Sequence, residues 1–363
     1  MTLIFTVILV ALVFTYINGF HDTANSIATV VATKVLSPRQ AVLLAAVTNL
    51  LGALCGTAVA ATIASGLVDP KIATMPVLIC ALLAAIVWNL VTWWVGLPAS
   101  SSHSLVGGLC GACLAAARND WSVIVWNIPG KAHWWQGKGI LWKVLLPMFT
   151  SPVAGFIGGF LLMALLYFIL RNWRPVRVNR TFGKLQLFSA AYMGFSHGTN
   201  DAQKTMGIIA LALMTATSSG AFSHLPGWLD FLRSSEPVAG QPLVIAVWIK
   251  VLCALTMCAG TAVGGWRIIR TLGYKMVKLH PVHGFAAEMT GATVLLTAAH
   301  FGMPVSTTHA ITTSIMGVGC AKSSNALKLV VVERILWAWV LTLPASAAIA
   351  YVLVLIARAA GWL

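Results

Sequence analysis

Two short runs carry residue types suited to holding ions. "PASSSH" spans Pro98 to His103, and "PVSTTH" spans Pro304 to His309. Each reads proline, one variable residue, three hydroxyls and a histidine. Proline fits the first turn of a helix, where its missing N–H costs nothing. A helix starting near Pro98 or Pro304 would leave its first N–H groups unpaired. Beside them would stand Ser100, Ser101 and Ser102, or Ser306, Thr307 and Thr308. Free N–H donors, a positive dipole end and hydroxyls together make an anion site. Two such sites facing each other could grip a tetrahedral oxyanion from both sides. Ser and Thr also pack between membrane helices as small polar residues. A single run would favour that reading, whereas a repeated run with matched Pro and His favours the site. His103 and His309 have two readings: proton-active groups, or polar residues that fix the turn.

A second pair of runs carries the carboxylates. "GFHDTANS" covers Gly19 to Ser26, and "GTNDAQKT" covers Gly198 to Thr205. Aligned, they give Gly, any residue, His or Asn, Asp, two residues, then Asn or Lys. Asp22 and Asn25 are spaced i, i+3, as are Asp201 and Lys204, so each pair shares a helix face. Two carboxylates with amide and hydroxyl oxygens make a hard-cation or proton site. Lys204 either neutralises Asp201 as a structural ion pair or supplies a fixed positive charge to the site. "GTAV" stands between the two kinds of run in each half, at Gly56–Val59 and Gly260–Val263. Three motifs recurring in one order indicate an internal repeat.

The elements that position these residues must be membrane helices. Of 363 residues, 59% are hydrophobic and 9% charged, against about 25% charged in soluble domains. Apolar stretches cover roughly 3–33, 40–66, 75–96, 98–117 and 140–170, then 184–217, 242–266, 283–302, 304–321 and 329–357. The first has no basic leader and runs into a polar motif, so it reads as a mature helix rather than a signal peptide. The net charge of +15 is concentrated in two acid-free loops, 171–184 and 267–281. That is the positive-inside pattern rather than a nucleic-acid patch. With those loops inside, both termini fall outside. Lys34, Arg39, Lys322 and Lys328 join the inside set, while Asp69, Asp120, Asp230, Glu236 and Lys131 fall outside. An odd number of crossings in each half turns the second half upside down relative to the first. This is the plan of many secondary transporters, whose site lies at the repeat interface near the bilayer midplane.

Intramembrane charges are costly and face a partner or a cavity. Only Asp22, Asp201, Glu288 and Glu333 are carboxylates within apolar stretches. Glu333 adjoins Arg334 beside aromatic residues and reads as interfacial. Glu288 reads either as a proton site or as a partner for Lys250. The seven cysteines sit in apolar segments as small hydrophobes. An enzyme is disfavoured: no H-E-x-x-H occurs, no G-x-S-x-G elbow is expected, and the serines cluster in a helix-start pattern.

At these motifs the chain resembles the inorganic phosphate transporter (PiT) family, over nearly its whole length. Its bacterial proton-coupled low-affinity branch is the nearest in pattern. The resemblance implies an all-α polytopic membrane protein of two inverted-topology repeats, with broken helices and re-entrant hairpins. The repeats would occupy 1–170 and 185–363, joined by the basic cytoplasmic linker 171–184. It implies import of orthophosphate with a proton or sodium, in a plasma (inner) membrane, by a homodimer that needs no cofactor. Matching positions put Asp22, Asn25, Asn200 and Asp201 at the cation and phosphate site. Ser100, Ser101, Ser102, Ser306, Thr307 and Thr308 would be ligands, with Thr23, Gln203 and Lys204 as further substrate contacts. His21, Glu288, His103 and His309 would join the two aspartates in handling the coupling ion. The sodium-coupled branch resembles Gly-x-Asn-Asp-x-x-Asn in both halves, whereas here His21 and Lys204 replace asparagines. A histidine beside Asp22 is a residue type that exchanges protons, so proton coupling is expected, with a divalent metal–phosphate complex as a candidate cargo. Sodium coupling and sulfate as the anion are the alternatives.

Overall fold

Helix boundaries fall where the sequence supplies their chemistry. The computed structural model describes residues 1–130, 137–223, 225–234, 243–323 and 326–363. Lys131 and Glu236 lie outside the described residues, as does the side chain of Lys322. The described residues form helices and turns without a strand. α1 is Thr2–Ala32, and α2 is Pro38–Ala53. α2 opens on a capping box in which Ser37 and Gln40 satisfy each other's backbone N–H groups. α3 is Ala58–Ser65, and α4 is Met75–Val95, which ends on Gly96 in a left-handed conformation. α5 is Ser101–Ala116, and α6 is Leu146–Leu170, entered through a wide π turn at Leu141–Leu145.

The second half follows the same order. α7 is Pro175–Ser218 and α8 is Val247–Val263. α9 is Trp266–Ile269 and continues through a π turn at Arg270–Lys275. α10 is Pro281–His300, α11 is Thr307–Lys322 and α12 is Leu329–Ala359. Among the described residues α1, α4, α6 with its entry turn, and α12 are each long and apolar enough to cross a bilayer. The two broken helices qualify when each bent pair is taken as one span.

Several expectations need adjustment. The stretch 40–66 is two helices, α2 and α3, bent by 67°. The stretch 242–266 continues past its expected end into α9 with a bend of 60°. The basic stretch 171–184 is largely helical, because Pro175 starts α7 there and its exposed opening turns carry the arginines. The "GTAV" alignment is also four residues out of register. The breaks sit at Gly56 (φ 81°) and Gly264 (φ 78°), a conformation costly for other residues. One turn earlier, Gly52 and Gly260 mark equivalent helix crossings. A Cβ at Gly52 would lie 2.0 Å from the Phe195 carbonyl oxygen of α7, and one at Gly260 would lie 2.2 Å from that of Tyr16 in α1. The structural equivalents are therefore Gly52 with Gly260 and Gly56 with Gly264.

The main packings come in matched pairs. α2 packs on α7 as α8 packs on α1, and α4 packs on α1 as α10 packs on α7. The fifth long element of each half crosses to the other: α6 lies on α11, and α12 lies on α5. Small residues permit these close approaches in the absence of a strong hydrophobic drive between membrane helices. A Cβ at Gly107 or Gly111 of α5 would lie 2.4 or 2.1 Å from the carbonyl oxygens of Leu343 and Ala347 in α12.

Candidate functional site where two helix tips meet

α4 with α5, and α10 with α11, form two hairpins whose tips meet inside the molecule. The Ser102 hydroxyl donates to the Val305 carbonyl at 2.9 Å, and the Thr308 hydroxyl donates to the Ala99 carbonyl at 3.0 Å. These are the same contact made in both directions, as a pseudo-two-fold axis between the tips requires. The His103 and His309 rings meet edge to face, 4.8 Å between centroids. His309 also stacks on Trp339 at 3.9 Å, and the Trp339 indole donates to the Pro98 carbonyl. The two histidine rings therefore meet across the tips, one from each. Their tip-fixing reading has this geometry behind it, and no bond links either ring to Asp22 or Asp201 among the described residues.

The hydroxyl rows divide their work by position. Ser100 and Ser306 are helix N-caps, each accepting the backbone N–H of His103 or His309 at 3.2 and 3.1 Å. Ser102 and Thr308 tie tip to tip. The middle hydroxyls face the carboxylate helix. Ser101 donates to Asp22 Oδ2 at 2.7 Å. Thr307 accepts from Asn25 at 3.1 Å, and Thr308 does so at 3.0 Å. Thr308 also lies 3.5 Å from Asp22 Oδ1, so it serves both the tip contact and the site.

Around this junction stand groups from α1 and α7. Asp22 Oδ1 is 2.7 Å from His21 Nδ1, whose Nε2 is 3.2 Å from the Thr92 hydroxyl. Across the centre, Asp201 accepts from the fully buried Lys204 ammonium at 2.6 Å and from the Asn18 amide at 3.4 Å. His197 Nε2 lies 3.4 Å from the same carboxylate, with its Nδ1 anchored on Asn49. Ligand atoms of Asp22, His197 and Asp201 all fall within 4.8 Å of one another. The side-chain oxygens of Asn18, Asn25 and Asn200 are buried without a hydrogen-bond donor in the protein. Buried acceptors are normally paired, so three unpaired ones beside two carboxylates suit a cation or a proton-bearing ligand. The hydroxyls on the tips are donors and suit an anion. Asn200 donates at 3.4 Å to the Met303 carbonyl, at the base of the second tip.

Three expected site residues lie elsewhere. Thr23 donates to the Gly19 carbonyl at 2.5 Å and faces Thr261 on α8, where it packs helix to helix. Gln203 accepts from the Val59 and Ala60 N–H groups at 2.8 and 3.3 Å and so caps α3 after the break in its helix. Glu288 sits in its own buried cluster, accepting from Thr29 at 2.5 Å, from Gln186 at 3.0 Å and from Ser189. No ion pair joins it to Lys250 among the described residues.

One motif escapes the sequence reading. Gly194-Phe195-Ser196-His197-Gly198 does match G-x-S-x-G, but Ser196 lies in mid-helix and donates to the Tyr192 carbonyl at 2.8 Å. No strand-to-helix elbow is present there, so no activated nucleophile results. Asn18 and His197 escape it too. Each directly precedes the repeated glycine, at Gly19 or Gly198, so extending the repeat by one residue reveals both.

The model of the Phosphate transporter family matches residues 18–350. The chain belongs to this family. Two of its relatives are each named "Probable low-affinity inorganic phosphate transporter". The one from Bacillus subtilis (strain 168) is 41% identical over 356 residues, covering 96% of this chain and 97% of the relative. The one from Rhizobium meliloti (strain 1021) is 42% identical over 343 residues, covering 94% and 92%. The fold also matches a solved structure named "The sodium-dependent phosphate transporter", with a TM-score of 0.79 and 24% identity, over 99% of this chain and 100% of that one. The family is one of transporters rather than enzymes.

Proposed function

We propose that this chain imports inorganic phosphate by proton symport. The observation that carries the reading is the Ser101 hydroxyl held by Asp22 where the two tips meet. Phosphate oxygens need such hydroxyl donors, and a bare carboxylate beside them repels the anion. Neutralising Asp22 would free Ser101 and remove that repulsion. Anion entry and cation or proton uptake thereby become one event, which is the physical content of symport. His21 beside Asp22 offers a proton-exchanging group. Lys204 places a fixed positive charge at Asp201, where a coupling cation would otherwise be attracted. Glu288, with three side-chain donors around it, is a second carboxylate available to coupling.

The Asp22, His197 and Asp201 cluster also offers two carboxylates and an imidazole to a divalent metal travelling with phosphate as cargo, an occupancy that requires Lys204 to release Asp201. Sodium coupling is the second reading, favoured by the unpaired asparagine oxygens and by the sodium dependence for which the structural neighbour is named. Sulfate is the alternative anion. The matched packings and the reciprocal tip contact support two inverted repeats, whether each hairpin crosses the membrane or re-enters. The basic stretches support an inside face at 171–184, with both termini outside, in a plasma (inner) membrane. Homodimers follow from the family resemblance.

Labelled phosphate uptake into proteoliposomes tests the proposal. Uptake driven by a pH gradient alone and resistant to excess sulfate is expected. Uptake driven by sodium at fixed pH, without a proton gradient, would sink the proton reading. Loss of the signal to sulfate would change the anion.

A further inference from the structure

A cavity of about 350 Å³ opens at the basic end of the molecule, away from the tip junction. It lies where the end of α6, the turn into α7 and the first turn of α10 come together. Its walls are apolar: Met163, Leu170, Val178 and Val282 line it, and Met163 is fully buried. Its mouth is polar, with Arg171 and Asn179. Tyr167 and His283 meet within it, 2.9 Å from hydroxyl to Nε2. Trp173 stands at the rim, with the Arg177 guanidinium 6.0 Å from its ring. The 20-residue α10 starts at Pro281 beside the cavity and presents the positive end of its dipole there.

We propose that this cavity binds an anionic phospholipid, with the phosphate at Arg171 and an acyl chain along the Met163–Val282 wall. Three observations favour a lipid over a soluble anion. The lining is mostly apolar, which a free anion would not use. The position is the end of a membrane-crossing helix, where Tyr and Trp mark the headgroup level. Arg171 lines the cavity and Arg177 stands over its Trp173, and the stretch 171–184 that passes its mouth holds five Lys and Arg and no acid. Basic pockets between membrane helices on the cytoplasmic side match anionic headgroups. The site is independent of what the transporter carries.

The test uses the whole protein in nanodiscs of equal phosphatidylglycerol and phosphatidylcholine, with retained lipids counted by native mass spectrometry. Wild type is expected to retain phosphatidylglycerol preferentially. Arg171→Gln should reduce that retention about five-fold. Val178→Trp, which fills the chain-binding wall, should reduce retention of the same lipid. Arg118→Gln, an exposed arginine before the first-half loop, should leave it unchanged. Equal retention of both lipids, or full retention in Arg171→Gln, would overturn the proposal. So would displacement of the lipid by excess inorganic phosphate, since the cavity would then recognise a soluble anion.

Discussion

Ser101 and Thr307 occupy equivalent positions in the two runs, yet they take opposite roles. Ser101 donates to Asp22, while Thr307 accepts from Asn25. Hydrogen bonds to a charged partner are worth about 1.5–3 kcal/mol. Ser101→Ala should therefore weaken equilibrium binding of labelled phosphate by about ten-fold or more, and Thr307→Ala by less. Unchanged affinity in both variants would remove the hydroxyl rows from the anion site. Lys204 and Asp201 form a fully buried ion pair, and removing one partner of such a pair costs about 3–5 kcal/mol. Lys204→Met should lower the melting temperature markedly, and adding Asp201→Asn should recover part of the loss. A melting temperature unaffected by Lys204→Met would show that the pair carries no stability. The sequence made Asp22, Asn25, Asp201 and Lys204 legible because the repeat isolates them. It could not say which hydroxyl of each row would cap its helix, because that depends on where the first turn starts. It could not reveal Gln203 as a cap either, because the backbone it serves belongs to a break in another element.

The helices themselves were legible from hydropathy and proline, but their breaks were not. A bend depends on where two helices cross, and a one-sequence motif such as "GTAV" can match one turn away from the true equivalence. Gly260 is the sharpest case. Gly260→Ala would push a methyl against the Tyr16 carbonyl, and such overpacking costs about 1–3 kcal/mol. A lower melting temperature and slower uptake are expected from that one methyl. Wild-type values for both would show that α1 and α8 have slack at the crossing. Gln203→Leu tests the other half of the same design. It strips the acceptor from the Val59 and Ala60 N–H groups, and loss of a cap costs about 1 kcal/mol. A measurable fall in melting temperature with phosphate affinity preserved is expected. Lost affinity at unchanged stability would return Gln203 to the binding site.

At the scale of the whole molecule, orientation rests on charge. In a cysteine-depleted background, Trp362→Cys should react with an impermeant maleimide added outside intact cells. Arg174→Cys should react only after permeabilisation. The reverse pattern would invert the proposed topology and move the basic cavity to the outer face. The crossed packing of α6 on α11 and α12 on α5 also imposes an order of events during synthesis. The first hairpin is made early, but the surface that covers its glycine face is α12, which follows α11 in the chain. Until then Gly107 and Gly111 have no partner, and Trp339, which stacks on His309 and donates to the Pro98 carbonyl, is not there to tie the two tips together. A ribosome that stalls before α12 would release a chain holding every residue of the centre but lacking the helix that covers α5 and braces the tips. Arrival of α12 is therefore a natural point at which quality control can tell a covered hairpin from an uncovered one.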